Sequence, residues 1–135
     1  MIATLAAFLL FLAPLPADKV TYHFVLLRDG GAIEVQANSP QDEDTRVRIR
    51  KELYEVSRQF GKGDFSSYLM TGSKVPAEGI KEAGSAIKFE FEELPFGGRV
   101  VMRTENSEAR KAIHKYMRHQ IGAYRTGGSD KIRSN

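Results

Sequence analysis

The stretch YHFVLLRDGGAIEVQA, from Tyr22 to Ala37, decides the fold of this 135-residue chain. Apolar and polar side chains alternate on both sides of an Asp-Gly pair, which is a strong signal for a two-residue hairpin turn. A turn at Asp29-Gly30 would place Leu26 opposite Ile33 and give the hairpin one apolar face. The sequence therefore predicts two antiparallel strands that bury one side against a core.

A helix is predicted to follow this hairpin. Ser39 can cap its N-terminus, and Pro40 fits the first helical position. Four apolar residues then recur at helical spacing and mark the buried side of the helix: Ile49, Leu53, Val56 and Phe60. Gly61 ends this pattern.

The same order of elements recurs in the second half of the chain. Two alternating segments flank the turn Leu94-Pro95-Phe96-Gly97-Gly98, and Asn106 can cap a second helix. The two copies align where Gly30-Gly31-Ala32-Ile33 matches Gly97-Gly98-Arg99-Val100. Repeated units of this kind predict an α+β fold. We expect duplicated β-β-α units that form a four-stranded, mainly antiparallel sheet with two helices on one face.

The N-terminus predicts export. Its first 17 residues carry no charge, and their apolar run is shorter than the roughly 20 residues that cross a bilayer. A small residue, Ala17, precedes the first charged residue, which is typical of a cleaved secretory signal. An uncleaved membrane anchor is the alternative. We expect a periplasmic or secreted protein with no stable membrane span after signal cleavage.

The predicted segments follow from these patterns. They are a signal peptide at 1–17, a single α+β domain at 18–130 (unit one 20–64, connecting loop 65–85, unit two 86–128) and a flexible tail at 131–135. A short helix is predicted to begin near Pro76 inside the connecting loop.

If two helices cover one face of the sheet, the opposite face is open to a ligand or a partner. The candidates on that face for ligand or interface contacts are His23, Val25, Leu27, Arg99, Val101 and Arg103. Their apolar members could form a patch that supports a homodimer or binds an envelope protein. Glu90 and Glu92 share this face and predict cross-strand ion pairs with the two arginines. The face has no aromatic residue, which argues against binding of nucleic acid.

The sequence carries no recognisable catalytic motif. It contains no Cys, no Gly-x-Ser-x-Gly and no phosphate-binding glycine loop. We therefore assign no catalytic residue. A binding module is favoured over an enzyme, although enzymatic activity stays open.

Three histidines are the remaining candidates for site chemistry. His114 lies at the edge of the buried side of the second helix, where a hydrogen-bonded residue at the core boundary is the ordinary interpretation. The alternative is a divalent-metal site formed by His114 and His23, in a metal-binding protein or a metal-dependent enzyme. Alternation places His23 on the side of the sheet away from the helices, so the two should not meet within one subunit. His119 projects away from the buried side.

Seven short motifs occur in a fixed order along the chain: Tyr22-His23-Phe24, Asp29-Gly30-Gly31, Gly63-Asp64-Phe65, Gly97-Gly98-Arg99-Val100, Ala112-Ile113-His114, Gln120-Ile121 and Arg125-Thr126-Gly127. In this order they resemble a family of small exported bacterial proteins without a settled activity. Some of its members carry an aspartate carbamoyltransferase label. That label does not suit this chain, which is much smaller than such a catalytic subunit and lacks the Ser-Thr-Arg-Thr phosphate-binding run.

The resemblance also bears on the histidines. Relatives often have His at four positions where this chain has another residue: Tyr22, Glu52, Gly72 and Tyr124. The resemblance therefore implies a metal-linked or proton-linked site of which His23 and His114 are the surviving members.

Overall fold

The computed structural model describes residues 15–67, 78–124, 129 and 131–133 as a mixed α+β fold. Its strands are β1 (Val20–Leu27), β2 (Gly30–Ala37), β3 (Lys88–Leu94), β4 (Gly97–Arg103) and β5 (Ile132–Arg133). Its helices are α1 (Glu43–Gly61), the short α2 (Glu78–Glu82) and α3 (Ser107–Tyr124), with a 3₁₀ turn at Gly84–Ala86. The strands form one sheet in the order β3-β4-β2-β1-β5. The predicted α+β class is confirmed, whereas the prediction of four strands is wrong because the described sheet has five.

The turn of the first hairpin lies one residue earlier than the sequence predicts, which shifts the pairing of its two strands by two residues. Leu27 pairs with Gly30, so the turn is Arg28-Asp29, and Ile33 lies opposite Phe24 rather than Leu26. A register shift of two residues keeps every side chain on its predicted face. Gly30 is the first residue of β2. A Cβ there would lie only 1.8 Å from the carbonyl oxygen of Met102 on β4, so this strand position requires glycine.

The central pair of the sheet is β2 with β4, which joins the two hairpins. These strands run antiparallel, with Ile33 opposite Val100. Their backbones approach closely at a second point, since a Cβ on Gly97 would lie 2.0 Å from the carbonyl oxygen of Val35. Only glycine fits at such an approach without moving one of the strands.

One hydrophobic cluster joins the sheet to both long helices. Its fully buried members include Leu26, Ile33, Val35, Ile49, Leu53, Val100, Met102, Ile113 and Met117. The predicted buried side of α1 is confirmed, because its four residues expose at most 4% of their surface. Leu15, within the predicted signal segment, also belongs to this cluster and exposes 4%.

The helix caps differ from the prediction at one of two sites. Asp42, not Ser39, caps α1, because its carboxylate accepts hydrogen bonds from the Thr45 hydroxyl at 2.6 Å and the Thr45 N–H at 3.1 Å. Those two bonds hold the pKa of Asp42 below its ordinary value. Asn106 caps α3 as predicted, since its Oδ1 accepts from the Ala109 N–H at 2.9 Å.

The fifth strand lies within the segment for which the sequence predicts a flexible tail. Ile132 and Arg133 pair in parallel with Leu26 and Leu27 at the end of β1. The other three pairings of neighbouring strands are antiparallel. The described part of the predicted helix near Pro76 is α2, and Pro76 itself lies outside the described residues.

Replacing Gly97 tests the close approach of β2 and β4. We expect Gly97→Ala to lower the free energy of unfolding by about 1–3 kcal/mol, because the added methyl group overlaps a backbone carbonyl that cannot rotate away. Urea denaturation followed by circular dichroism measures this change.

Gly122→Ala is the matched control. Gly122 lies in α3, and a Cβ there meets nothing within 4 Å. Alanine should therefore raise the free energy of unfolding by up to about 1 kcal/mol through helix propensity. Equal stability of Gly97→Ala and the parent chain would contradict the register described above.

Candidate functional site

The apolar residues predicted to form a binding patch are buried. Val25, Leu27 and Val101 form a second small cluster with Ala32, separate from the main core, and expose 0–4% of their surface. By alternation they lie on the outer face, the side of the sheet opposite the main core. These three side chains leave little apolar surface that a partner could cover. A homodimer through this face stays a prediction.

Charged side chains form an ion-pair layer over the outer face. Arg99 contacts Glu92 at 2.8 Å, and Arg103 contacts Glu92 at 3.3 Å and Glu90 at 3.6 Å. Arg103 also lies 3.6 Å from Asp29 in the first hairpin turn. The predicted cross-strand pairs of these arginines with the glutamates of β3 are therefore confirmed.

Glu34 is the buried member of the ion-pair layer. Its side chain exposes 9%, and its Oε2 lies 3.3 Å from Arg99 and 3.2 Å from Arg133. A buried carboxylate needs such partners, because its ionised form loses the hydration that water provides. Arg133 thus links β5 to the centre of the sheet.

Two glutamates have pKa values shifted in opposite directions. Partial burial pushes the pKa of Glu92 upward, but the hydrogen bonds and charges of Arg99 and Arg103 outweigh it, so its pKa lies below the ordinary value. Burial raises the pKa of Glu52 on α1, against smaller effects from Arg48 and Lys51. The ion-pair layer therefore favours the carboxylate form of Glu92.

His23 lines a cavity at the edge of the sheet, between β1 and residues 129 and 131–133. This β1-edge pocket has a volume of about 230 Å³. Its lining residues are His23, Phe24, Val25, Ser129, Lys131, Ile132 and Arg133. His23 and Val25 are the two residues in it that the sequence predicts as ligand contacts. The pocket combines three basic side chains with the apolar side chains of Val25 and Ile132.

A second, larger groove lies beside the turn of the first hairpin. Its lining includes Asp29, Lys88, Arg103, Thr104 and Asn106. The two basic side chains there already have acidic partners. The Oδ1 atom of Asp29 is buried and has no hydrogen-bond partner among the described residues. Internal ion pairing makes this groove a weaker candidate than the β1-edge pocket.

His114 lies inside the fold, away from the outer face. It exposes 8%, and its Nε2 lies 2.7 Å from the carbonyl oxygen of Leu27, to which it donates. This contact confirms the interpretation of His114 as a hydrogen-bonded residue at the core boundary. His119 is exposed, as predicted.

His23 and His114 do not converge on one point. His114 is bound at Leu27, four residues along β1 from His23, which corresponds to roughly 13 Å of extended strand. Within the described residues, no group of three or more Asp, Glu or His side chains could hold a metal ion. The two histidines are therefore placed for different contacts.

No family model, curated protein or solved structure matches this chain. The resemblance to the exported bacterial family, with the site that it implies, stays a prediction. None of the helices in the described residues has the length and apolar character that a bilayer crossing needs.

The sequence did not identify Lys131 and Arg133, which line the β1-edge pocket, as candidate site residues. Both lie in the segment assigned to a tail, and a two-residue strand is too short to show alternation. Their role depends on the docking of β5 beside β1, which is a long-range contact. The basic character of the C-terminal segment was the one available signal.

Comparing two arginines tests how the ion-pair layer stabilises the fold. We expect Arg99→Met to lower the free energy of unfolding by about 1–3 kcal/mol, because buried Glu34 loses one of its two charged partners. Arg103→Met should cost less than about 1 kcal/mol, since its partners expose 37–47% of their side chains. Urea denaturation at pH 7 measures both changes. Equal losses would contradict the central position of Glu34.

The opposite pKa shifts predict opposite effects of pH. A lowered pKa stabilises the fold above the ordinary glutamate value near about 4.3, and this contribution is lost as the pH falls through the lowered pKa. Glu92→Gln should therefore reduce the free energy of unfolding at pH 7 by a few tenths of a kcal/mol, about the value of an exposed pair, and have a smaller effect at pH 3.

Glu52→Gln is the control of opposite sign. A raised pKa stabilises the fold below the ordinary value and costs stability as the pH rises through it. The amide should therefore stabilise the fold at pH 7 and match the parent chain at pH 3. Denaturation curves at both pH values measure the effect, and a stabilising effect of Glu92→Gln at pH 7 would contradict the favoured carboxylate.

Proposed function

We propose that this chain is a small exported binding module whose ligand enters the β1-edge pocket. The observation that carries the proposal is the combination of a defined cavity with ionisable side chains that form no ion pair with another described residue. His23 is half-buried and Lys131 is exposed, and neither forms an ion pair among the described residues. Polar groups that converge in a cavity are the usual mark of a ligand site.

The ion-pair layer is a weaker candidate for ligand binding than the pocket, and one of its ion pairs helps to form the pocket wall. Arg99 and Arg103 are held by glutamates on neighbouring strands. Their charges are therefore largely neutralised and their side chains ordered. Arg133, which is held by Glu34, positions one wall of the pocket. A partner protein or a second copy of the chain on this face would meet these charged groups.

We also infer an internal duplication with both long helices on one face of the sheet. Gly30 and Gly97 occupy equivalent positions in the alignment of the two copies. In each hairpin the two-residue turn ends immediately before this glycine. The aligned residues Ile33 and Val100 face each other at the centre of the sheet. Such an arrangement is that of two copies related by a local two-fold axis through this pair. The shared hydrophobic cluster supports the placement of both helices.

A ligand screen tests the proposed site. We expect at least one small molecule, from a set that includes anions, cations and neutral compounds, to shift the amide resonances of His23, Val25 and Ile132 in two-dimensional NMR spectra. Ile132→Ala should weaken that response several-fold, because Ile132 exposes 49% of its surface at the pocket.

Val47→Ala is the matched control for the screen. Val47 lies on α1 and exposes 55%, outside the pocket lining. Its replacement should leave the response unchanged. Absence of any shift at the pocket resonances would overturn the proposed site. The mass of the chain recovered from a bacterial periplasm tests export separately, with Asp18 expected as the first residue.

A further inference from the structure

We infer that a second copy of this chain docks along the outer edge of β3 and forms a two-fold symmetric dimer with one continuous sheet. β3 is at one end of the strand order and β5 is at the other, so this interface and the β1-edge pocket lie at opposite edges of the sheet. Three features of β3 support the dimer: its regular backbone, the aromatic rings that hold it and the order of its charges.

The backbone of β3 is suited to pairing with a second strand. Its seven residues, Lys88–Leu94, pair one to one with β4, and no bulge interrupts the ladder. None of the other described strands pairs with the side of β3 that faces away from β4. The N–H and C=O groups on that side of an edge strand are a template for another chain. Natural proteins commonly shorten or bend such an edge, whereas β3 is neither short nor bulged.

Aromatic rings fix the position of β3 on the helix side of the sheet. The ring of Phe89 lies 5.6 Å from that of Phe60 on α1 and 5.7 Å from that of Phe65. Phe91 contacts Tyr54 on α1 edge to face, with 6.2 Å between the ring centres. Phe89 and Phe91 are half-buried, and Tyr54 exposes 52% of its surface. A strand added beside β3 would cover this apolar surface, and the rings are already ordered for it.

The order of charges on the outer face of β3 selects one register for the dimer. Side chains directly opposite one another in an antiparallel pair lie on the same face and interact. A two-fold axis at Phe89 places Lys88 of each copy opposite Glu90 of the other. An axis at Lys88 or at Glu90 would place that residue opposite its own charge. An axis at Phe91 would place Glu90 opposite Glu92.

The same register matches the side chains on the helix side of the strand. An axis at Phe89 places this residue opposite its own copy, and it places Ile87 opposite Phe91. Aromatic pairs and pairs of an aromatic with a β-branched residue are favourable across antiparallel strands. Ile87 has extended backbone, with φ −112° and ψ 132°, so the pairing can begin one residue before β3.

Lys88 and Glu90 are accessible for contacts between copies. Their side chains expose 74% and 41%, and they lie 3.7 Å apart within one copy. Glu90 also lies 3.6 Å from Arg103 in the ion-pair layer. In the dimer each of the two residues would gain a further partner of opposite charge. Exposed charges contribute more to stability in such a network than in isolated pairs.

Sedimentation equilibrium of the purified chain tests the dimer. We expect a mass of two chains at about 100 µM, a concentration at which an interface with a micromolar dissociation constant is nearly fully occupied. A mass of one chain at that concentration overturns the inference. A mass above two chains also overturns it, because a two-fold contact is closed after two copies.

Two charge-reversed variants test the register. Lys88→Glu creates two pairs of like charge across the interface, and so does Glu90→Lys. Each variant alone should therefore dimerise at least about tenfold more weakly than the parent chain. An equimolar mixture of the two variants should recover the dimer, because the glutamate introduced in one copy then faces the lysine introduced in the other. A mixture that dimerises no better than either variant alone overturns the inference.

Lys115→Glu is the matched control for the change of charge. Lys115 is an exposed residue of α3, which packs against β1 and β2. This variant should dimerise like the parent chain, and circular dichroism verifies that all three variants are folded. Equal weakening by Lys115→Glu and Lys88→Glu would mean a general effect of charge and overturns the inference. The ligand screen at the β1-edge pocket reads resonances outside β3, so its outcome is independent of the dimer.

Discussion

The pairing of β2 with β4 is the constraint on which the rest of this structure depends. A hairpin of two strands is marginally stable alone, and this pairing turns two hairpins into the centre of one sheet. It brings backbone within 1.8 Å and 2.0 Å of the positions that a Cβ would take at Gly30 and Gly97. The two glycines therefore serve the contact between hairpins rather than the hairpin turns beside them.

The same pairing builds the ion-pair layer. Ile33 and Val100 face each other on the core side, and the next pair in register, Glu34 with Arg99, faces outward. Glu34 is buried there and takes a second partner, Arg133, from the short strand β5. The position of β5 beside β1 then provides one wall of the β1-edge pocket. The register of β2 and β4 thus fixes the position of the Glu34 carboxylate, which in turn holds Arg133 at the candidate site.

Most parts of the fold that depend on local chemistry were predictable from the sequence, with the N-cap of α1 at Asp42 as an exception, and those that depend on distant contacts were not. Alternation predicted the strands, helical spacing predicted the buried side of α1, and Asn106 was recognised as a cap. The turn at Arg28-Asp29 was missed because Asp-Gly ordinarily marks the turn itself. Here the glycine is required by Met102, seventy-two residues later in the chain. Strand β5 was missed for the same reason.

Most of the residues that alternation places on the outer face are buried or ion-paired in the structure, and so are not available as a binding surface. Of the six outer-face candidates, Val25, Leu27 and Val101 are used in a small buried cluster, and Arg99 and Arg103 are held in ion pairs. His23 alone keeps a half-buried side chain without an ion pair among the described residues. The binding site that we propose is consequently at the edge of the sheet, where β5 pairs with only the last two residues of β1.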